Sequence, residues 1–445
     1  MNYKFEQISK KANMKFLSKS DQFNEKLENK SPNCLKEAII SIKNGRNIKK
    51  SFNLIKLELT DPQKQNVSCK AVLDCDLVSY ILPYCSIESE VDILVDAIDI
   101  IQYISMSEQP EDSPFQNKQF FLNLLDIIKN NIDSNIIIII LIIIYNLLCD
   151  DIIESVIHDI LMEIDIIGSL SCLNLFDLKS EYLQYSSGVL VQILHGNTKE
   201  ETLKMNNIFS LIVNILESCN DTITHYNFLE SLSLMLIYSE FHQIAYDYNI
   251  SNILLKSLKL YHDESLIYVF KSIYNLCLNE HFPPEFLTND FFLLCDHLLF
   301  TSNTNLIENI LRTLELFIPR YYQNLWDNNI ITGLLSLLKE STCSIRFNCT
   351  GFILNFLNYS TDKQIIEINN LNGFDFILDS VGSFDFEDIS QSLDILKNLL
   401  TRGPDVYNII ISSKSMHTLL DELINDPNPE VSSLGQYYRE LFSSI

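Results

Sequence analysis

Along most of this chain, apolar residues recur at spacings of three and four and are interrupted by polar breaks, a pattern that predicts amphipathic helices rather than strands. The most apolar segment, Ile136 to Cys149, reads IIIIILIIIYNLLC. Its fourteen residues fall short of the ~20 that a membrane-spanning helix needs, so it predicts a helix buried inside the fold. Between Ser360 and Thr401 the pattern resolves further. It predicts a short helix TDKQIIEIN, a break at Asn372-Gly373, a second helix FDFILDSV, a break near Ser383, and a longer helix ending in LDILKNLL.

The longer segments are copies of one another. Aligned on one position near their C-terminal ends, they give Gln102, Asn146, Gln192, Leu234, Asn275, Leu316, Asn355, Asn398 and Glu440 as anchors, 39 to 46 residues apart. Two positions before each anchor the residue is Ile, Leu or Tyr, from Ile100 to Tyr438, and one position after it is apolar again, from Tyr103 to Leu441. Equivalent helices need that pair of core positions in every copy. About 26 residues before several anchors stands Asn207, Asn249, Asn289, Asn329 or Asn372. Asn tolerates the left-handed backbone that a sharp break between helices demands. Three helices in about 42 residues predict an armadillo-type repeat, where two helices would suggest HEAT. The expected fold is all-α, a right-handed solenoid of about nine to ten three-helix repeats preceded by a basic N-terminal extension. No repeat can bury its own apolar stripe, so neighbours stack, and the third helices are expected to line a concave groove.

Composition agrees with this reading. Only 10 Gly and 11 Pro occur in 445 residues, too few for an architecture rich in tight turns. The 11 Cys are scattered without a CxxC pair, which predicts reduced, core-filling thiols and a cytoplasmic and nuclear setting. The N-terminal MNYKFEQISKKANMKF lacks the apolar stretch of a secretory signal. Charge divides the chain. Residues 1–50 carry twelve Lys/Arg against five Asp/Glu, whereas the remainder carries twenty against fifty-three. The expected division is a basic segment 1–53 and a solenoid 54–445. So acidic a body repels phosphates, which argues against nucleic acid and for proteins or extended basic peptides as partners, and the short apolar segment argues against a membrane.

Catalytic patterns are absent from the sequence. The eight His show no HxH or HExxH spacing and no pairing with Cys, so no metal is expected. There is no GxxxxGK[ST], GxGxxG or GxSxG. No cofactor is expected, and the chain is not expected to be an enzyme.

The order of parts resembles the armadillo proteins and, within them, importin-α, the adaptor that carries nuclear-localisation signals. In that family a basic importin-β-binding segment precedes an acidic groove. Here Lys15 and Lys19, then Lys36, Lys43, Arg46, Lys49 and Lys50, stand where the resemblance places that segment, though its Arg-rich middle is missing. A second reading is a basic tail lying against the acidic body. In importin-α each third helix carries Trp and, four residues later, Asn. Side-chain amides pair with the cargo backbone, and indole faces attract its lysines. The resemblance therefore implies a groove built on Gln102, Asn146, Gln192, Asn275, Asn355 and Asn398. The Trp half is absent. Ile98, Ile142, Gly188, Glu230, Lys271, Arg312, Gly351, Asp394 and Gln436 stand four residues before the anchors. Glu230 and Asp394 are the candidates to replace indole with ion pairing, whereas Lys271 and Arg312 would repel a lysine-rich cargo. The one tryptophan, Trp326, falls in a first helix and is expected to pack.

Three functions fit this sequence. One is an importin-α-like adaptor for nuclear import, binding importin-β through residues 1–53. Another is an armadillo scaffold that organises a cytoplasmic complex. The third is a regulatory subunit gripping a globular partner through Ile98, Ile142, Leu234 and Leu316.

Overall fold

A computed structural model describes residues 33–62, 65–74, 76–130, 133–172, 180–218, 221–260, 264–278, 281–340, 343–382 and 384–444. Lys15 and Lys19 lie outside them. The described chain is all-α, with no strand among the described residues. It divides into two compact units, Met1–Gly196 and Asn197–Ile445.

In the first unit the long helices Ile48–Thr60, Val91–Ser105, Ser134–Leu148 and Ser180–Gly196 pack in succession. The expected membrane-length question about Ile136 to Cys149 resolves as a core helix, with Ile137, Ile140, Ile143, Ile144 and Leu147 fully buried. No described helix is long and apolar enough to cross a membrane. Shorter helices such as Lys118–Lys129, Glu154–Glu163 and Ile166–Cys172 occupy the intervals. One interval departs from the three-helix rule. Between Ser105 and Lys118 the first helix is replaced by turns folded around buried Gln109, whose side-chain amide donates to the carbonyls of Ile104 at 3.0 Å and Ser107 at 2.7 Å.

The second unit stacks six long helices, Thr222–Met235, Glu264–Cys277, Thr304–Glu315, Cys343–Tyr359, Phe386–Leu400 and Pro429–Ser444. Shorter helical pieces precede each of them, two in most repeats, as in Asp362–Asn370 and Gly373–Val381 before Phe386–Leu400. Thr361 opens the first of these with a capping box, its hydroxyl accepting from the Gln364 N–H while the Gln364 side chain accepts from the Thr361 N–H. That pairing satisfies two helix-end donors that would otherwise be orphaned. Each unit is thus an armadillo-like helical repeat array.

The register of the repeats is set by burial. All nine residues two before the anchors are buried, as are Leu147, Ile193, Met235, Leu276, Phe317, Phe356 and Leu399 one after them. Tyr103 and Leu441 are half-buried. Each buried aliphatic side chain contributes roughly 1.5–3 kcal/mol only when a neighbour covers it, which is why the repeats must stack.

The breaks between first and second helices are left-handed at Asn249, Asn329 and Asn372, with φ of 54°, 63° and 58°. Asp165 and Asp76, at φ 59° and 48°, occupy the same place in the first unit. Aspartate tolerates this conformation for the same reason as asparagine. Asn207 and Asn289 do not act this way. Asn207 lies inside the helix Asn206–Ser218, and the chain turns earlier, at Lys204 and Met205. Asn289 begins its helix behind an extended Thr288, whose hydroxyl accepts from the Phe291 N–H at 3.4 Å.

The folded array begins before the charge break. The helix Ile48–Thr60 runs through the division expected between residues 53 and 54, with Phe52, Ile55 and Leu59 fully buried. It packs on Val91–Ser105 as one more third helix, so ten long helices of this type lie among the described residues. Trp326 does pack, stacked on Phe356 with ring centroids 6.2 Å apart. Cys277 and Cys349 are buried, and burial pushes both thiols up to about 12. They are inert filler rather than nucleophiles.

Candidate functional site

On a helix, residues four apart share a face, so each anchor and the residue one turn earlier point the same way. Because the positions two before and one after the anchor face the core, the anchor itself stands at its edge. Accordingly Gln102, Asn146, Gln192, Leu234, Asn275, Leu316 and Asn355 are half-buried, and Asn398 and Glu440 are exposed.

In the first unit this face is mostly closed. Ile98, Ile142 and Gly188 are buried, so the apolar grip expected from Ile98 and Ile142 is spent on the core. Asn146 donates from Nδ2 to Ser105 Oγ at 3.1 Å, and that hydroxyl donates to the Gln102 carbonyl at 2.8 Å. The amide thereby ties one third helix to the next. The basic residues Lys36, Lys43, Lys49 and Lys50 are exposed on the first two described helices, Asn33–Lys43 and Ile48–Thr60, and Arg46 is exposed in the turn between them. Lys49 pairs with Asp92, Lys56 pairs with Asp99 and, at 3.3 Å, with Asp96, and Lys43 lies over the Tyr80 ring at 5.4 Å.

In the second unit the expected carboxylates separate. Glu230 is 3% exposed and accepts a hydrogen bond from Tyr268 Oη at 2.7 Å, while Tyr226 Oη donates to Tyr268 Oη at 3.3 Å. Burial and these bonds push the Tyr268 hydroxyl well above the ordinary tyrosine range. Glu230 is therefore a structural acceptor inside the helix stack, not an ion-pairing group on its face. Asp394 is exposed, although it accepts from Tyr438 Oη at 2.7 Å on the neighbouring third helix. Burial first, then this bond, raises the Tyr438 hydroxyl.

The amides differ in the same way. Asn275 donates from Nδ2 to the Ser233 carbonyl at 3.0 Å, repeating the tie made by Asn146. Asn355 and Asn398 make no side-chain hydrogen bond among the described residues. They stand at the same register position on two third helices that pack together. Lys271 and Arg312 are exposed one turn before Asn275 and Leu316. Lys271 lies over the Tyr268 ring at 5.1 Å and Arg312 over the Tyr274 ring at 4.7 Å. These tyrosines escaped the search for Trp at a fixed spacing, because the ring under Arg312 comes from the preceding third helix. Among the described residues no group of three or more His, Cys, Asp or Glu is placed to hold a metal ion.

The three-helix repeat and its register define the class, an armadillo-like helical repeat protein. No family model matches the sequence, and no curated protein matches it. Among solved structures, the crystal structure of an engineered protein matches 92% of this chain and 99% of its own, with a TM-score of 0.72 at 14% identity. That likeness is one of fold alone. Designed armadillo repeat proteins match 52% of this chain and 98% of theirs at 16% identity, with TM-scores of 0.43 and 0.44, one of them in complex with the peptide (KR)4.

Proposed function

We propose that this chain is a non-enzymatic binding protein that holds an extended segment of a partner protein along the exposed faces of its third helices. The observation that carries the reading is the pair Asn355 and Asn398. A primary amide both donates and accepts, so each can pair with the N–H and C=O of an extended peptide. Selection of random peptides displayed on phage against the full chain tests it. Net hydrogen bonds of roughly 0.5–1.5 kcal/mol each imply that replacing both asparagines by Ala weakens the selected peptides about tenfold or more. Failure to enrich any peptide, or indifference to the double substitution, refutes the reading.

A nuclear-import adaptor is a finer version of the same function, favoured by the excess of Lys and Arg in residues 1–50. Against it, Lys36 to Lys50 belong to the first two described helices and the turn that joins them, and Glu230 is withdrawn from the surface. Titration with importin-β decides, comparing the full chain with one lacking residues 1–32, since deletion to residue 53 would sever the helix Ile48–Thr60. Tight binding lost on deletion supports the adaptor. No binding by either form leaves a scaffold.

A further inference from the structure

The chain carries 58 acidic residues against 32 basic ones, and several of its described cations are paired with carboxylates within the fold. Lys49, Lys56, Lys118, Lys199 and Arg439 each have a carboxylate partner. Lys271 and Arg312 have no such close pair, although the half-buried Glu315 lies near enough to Arg312 to feel its charge. No carboxylate lies within ion-pairing distance of either among the described residues, and both are exposed. They occupy the same register position on adjacent third helices, Glu264–Cys277 and Thr304–Glu315. Each is propped on a tyrosine ring, and the ring beneath Arg312 belongs to Tyr274, three residues after Lys271 on the same helix. A cation held over an aromatic face keeps its charge and loses little freedom when it meets an anion.

The next third helix, Cys343–Tyr359, adds a second feature at the same register position. Gly351 is exposed, and a Cβ built there would meet nothing within 4 Å. Glycine inside a helix costs about 1 kcal/mol relative to alanine, and no neighbour requires it here. Phe347, 42% exposed, stands one turn before it and Asn355 one turn after. The result is a shallow notch of bare backbone beside an aromatic ring.

We infer that this face of the second unit binds an extended acidic segment of a partner protein, whose carboxylates pair with Lys271 and Arg312 and whose next large apolar side chain seats over Gly351. The inference rests on the peptide-binding reading above and adds the chemistry of the peptide. Packed helices lie ~8–10 Å apart, and an extended segment in the polyproline-II form, with three residues per turn and ~3.1 Å rise, returns a side chain to the same side every third residue, about 9 Å on. That chemistry is the reverse of a lysine-rich cargo.

The test uses the full chain and a fluorescein-labelled peptide of about twelve residues with Glu, Glu and Phe at successive third positions in a Ser/Ala background. Control peptides carry Gln or Lys in place of Glu, and an oligothymidylate serves as a polyanion without peptide character. The expected result is anisotropy showing the Glu peptide bound about tenfold more tightly than the Gln peptide and losing affinity as salt rises. Lys271→Glu with Arg312→Glu, both on the surface, should reverse the preference toward Lys. Gly351→Leu should weaken the Glu peptide several-fold. Equal binding of Glu and Lys peptides, still lost on substituting Asn355 and Asn398, overturns the acidic-partner inference and leaves the peptide-binding reading intact. So does tighter binding of the oligonucleotide through Lys271 and Arg312. If no peptide of any charge binds, both fall.

Discussion

Replacing Tyr268 by Phe removes one oxygen and almost no volume, so its effect reports on the two hydrogen bonds that this hydroxyl makes to the adjacent third helix. Tyr268 Oη donates to Glu230 Oε1 at 2.7 Å and receives a longer bond of 3.3 Å from Tyr226. Glu230 is 3% exposed, so water cannot replace the lost donor. Leaving a buried acceptor without its donor costs roughly 1–3 kcal/mol, and an expected loss of about 2 kcal/mol follows. For a unit of this size that corresponds to a fall in Tm of about 4–8 °C. Urea unfolding measures the loss, and hydrogen exchange in the Thr222–Met235 and Glu264–Cys277 helices locates it, because repeats couple mainly to their neighbours. A double-mutant cycle with Glu230→Gln should show clear coupling. The wild-type chain should also lose stability as pH rises above the ordinary tyrosine range, ~10. There the unfolded Tyr268 ionises while the folded one, with its raised pKa, does not, and the Phe variant lacks that contribution. A loss below about 0.5 kcal/mol, or no coupling in the cycle, would refute the assignment of Glu230 as a structural acceptor.

Other perturbations probe separate features. Asn329→Ala should cost about 1–2 kcal/mol in unfolding experiments, because alanine resists φ 63°, whereas Asn329→Gly should be nearly neutral. Asp296 Oδ1 is buried without a hydrogen bond among the described residues, and burial raises the carboxyl above its usual range. The stability it contributes is present below the ordinary aspartate pKa and lost as pH rises through the raised folded value. Asp296→Asn should therefore raise Tm more at pH ~7 than at pH ~4, and an equal change at both would contradict this. Arg402 donates to the carbonyls of Asn358 and Ser360 at the end of the preceding third helix. Arg402→Ala should cost roughly 1–2 kcal/mol and speed exchange at that helix end.

The periodic pattern of the amino acids was enough to establish the all-α repeat, its length and the inward positions of the third helices, because a helix exposes and hides residues by spacing alone. It also located the left-handed breaks at Asn249, Asn329 and Asn372, whose cause is local backbone sterics. It missed Asp76 and Asp165, which satisfy the same constraint with a different residue. What spacing could not decide was which groups at equivalent positions remain available. Asn146 and Asn275 look like Asn355 and Asn398 in register, yet the first pair is occupied by Ser105 and by the Ser233 carbonyl on a neighbouring helix. Glu230 and Asp394 likewise share a position, and only Glu230 is covered. Those differences depend on residues about forty positions away in the chain, which only the stacking of repeats brings within hydrogen-bond distance.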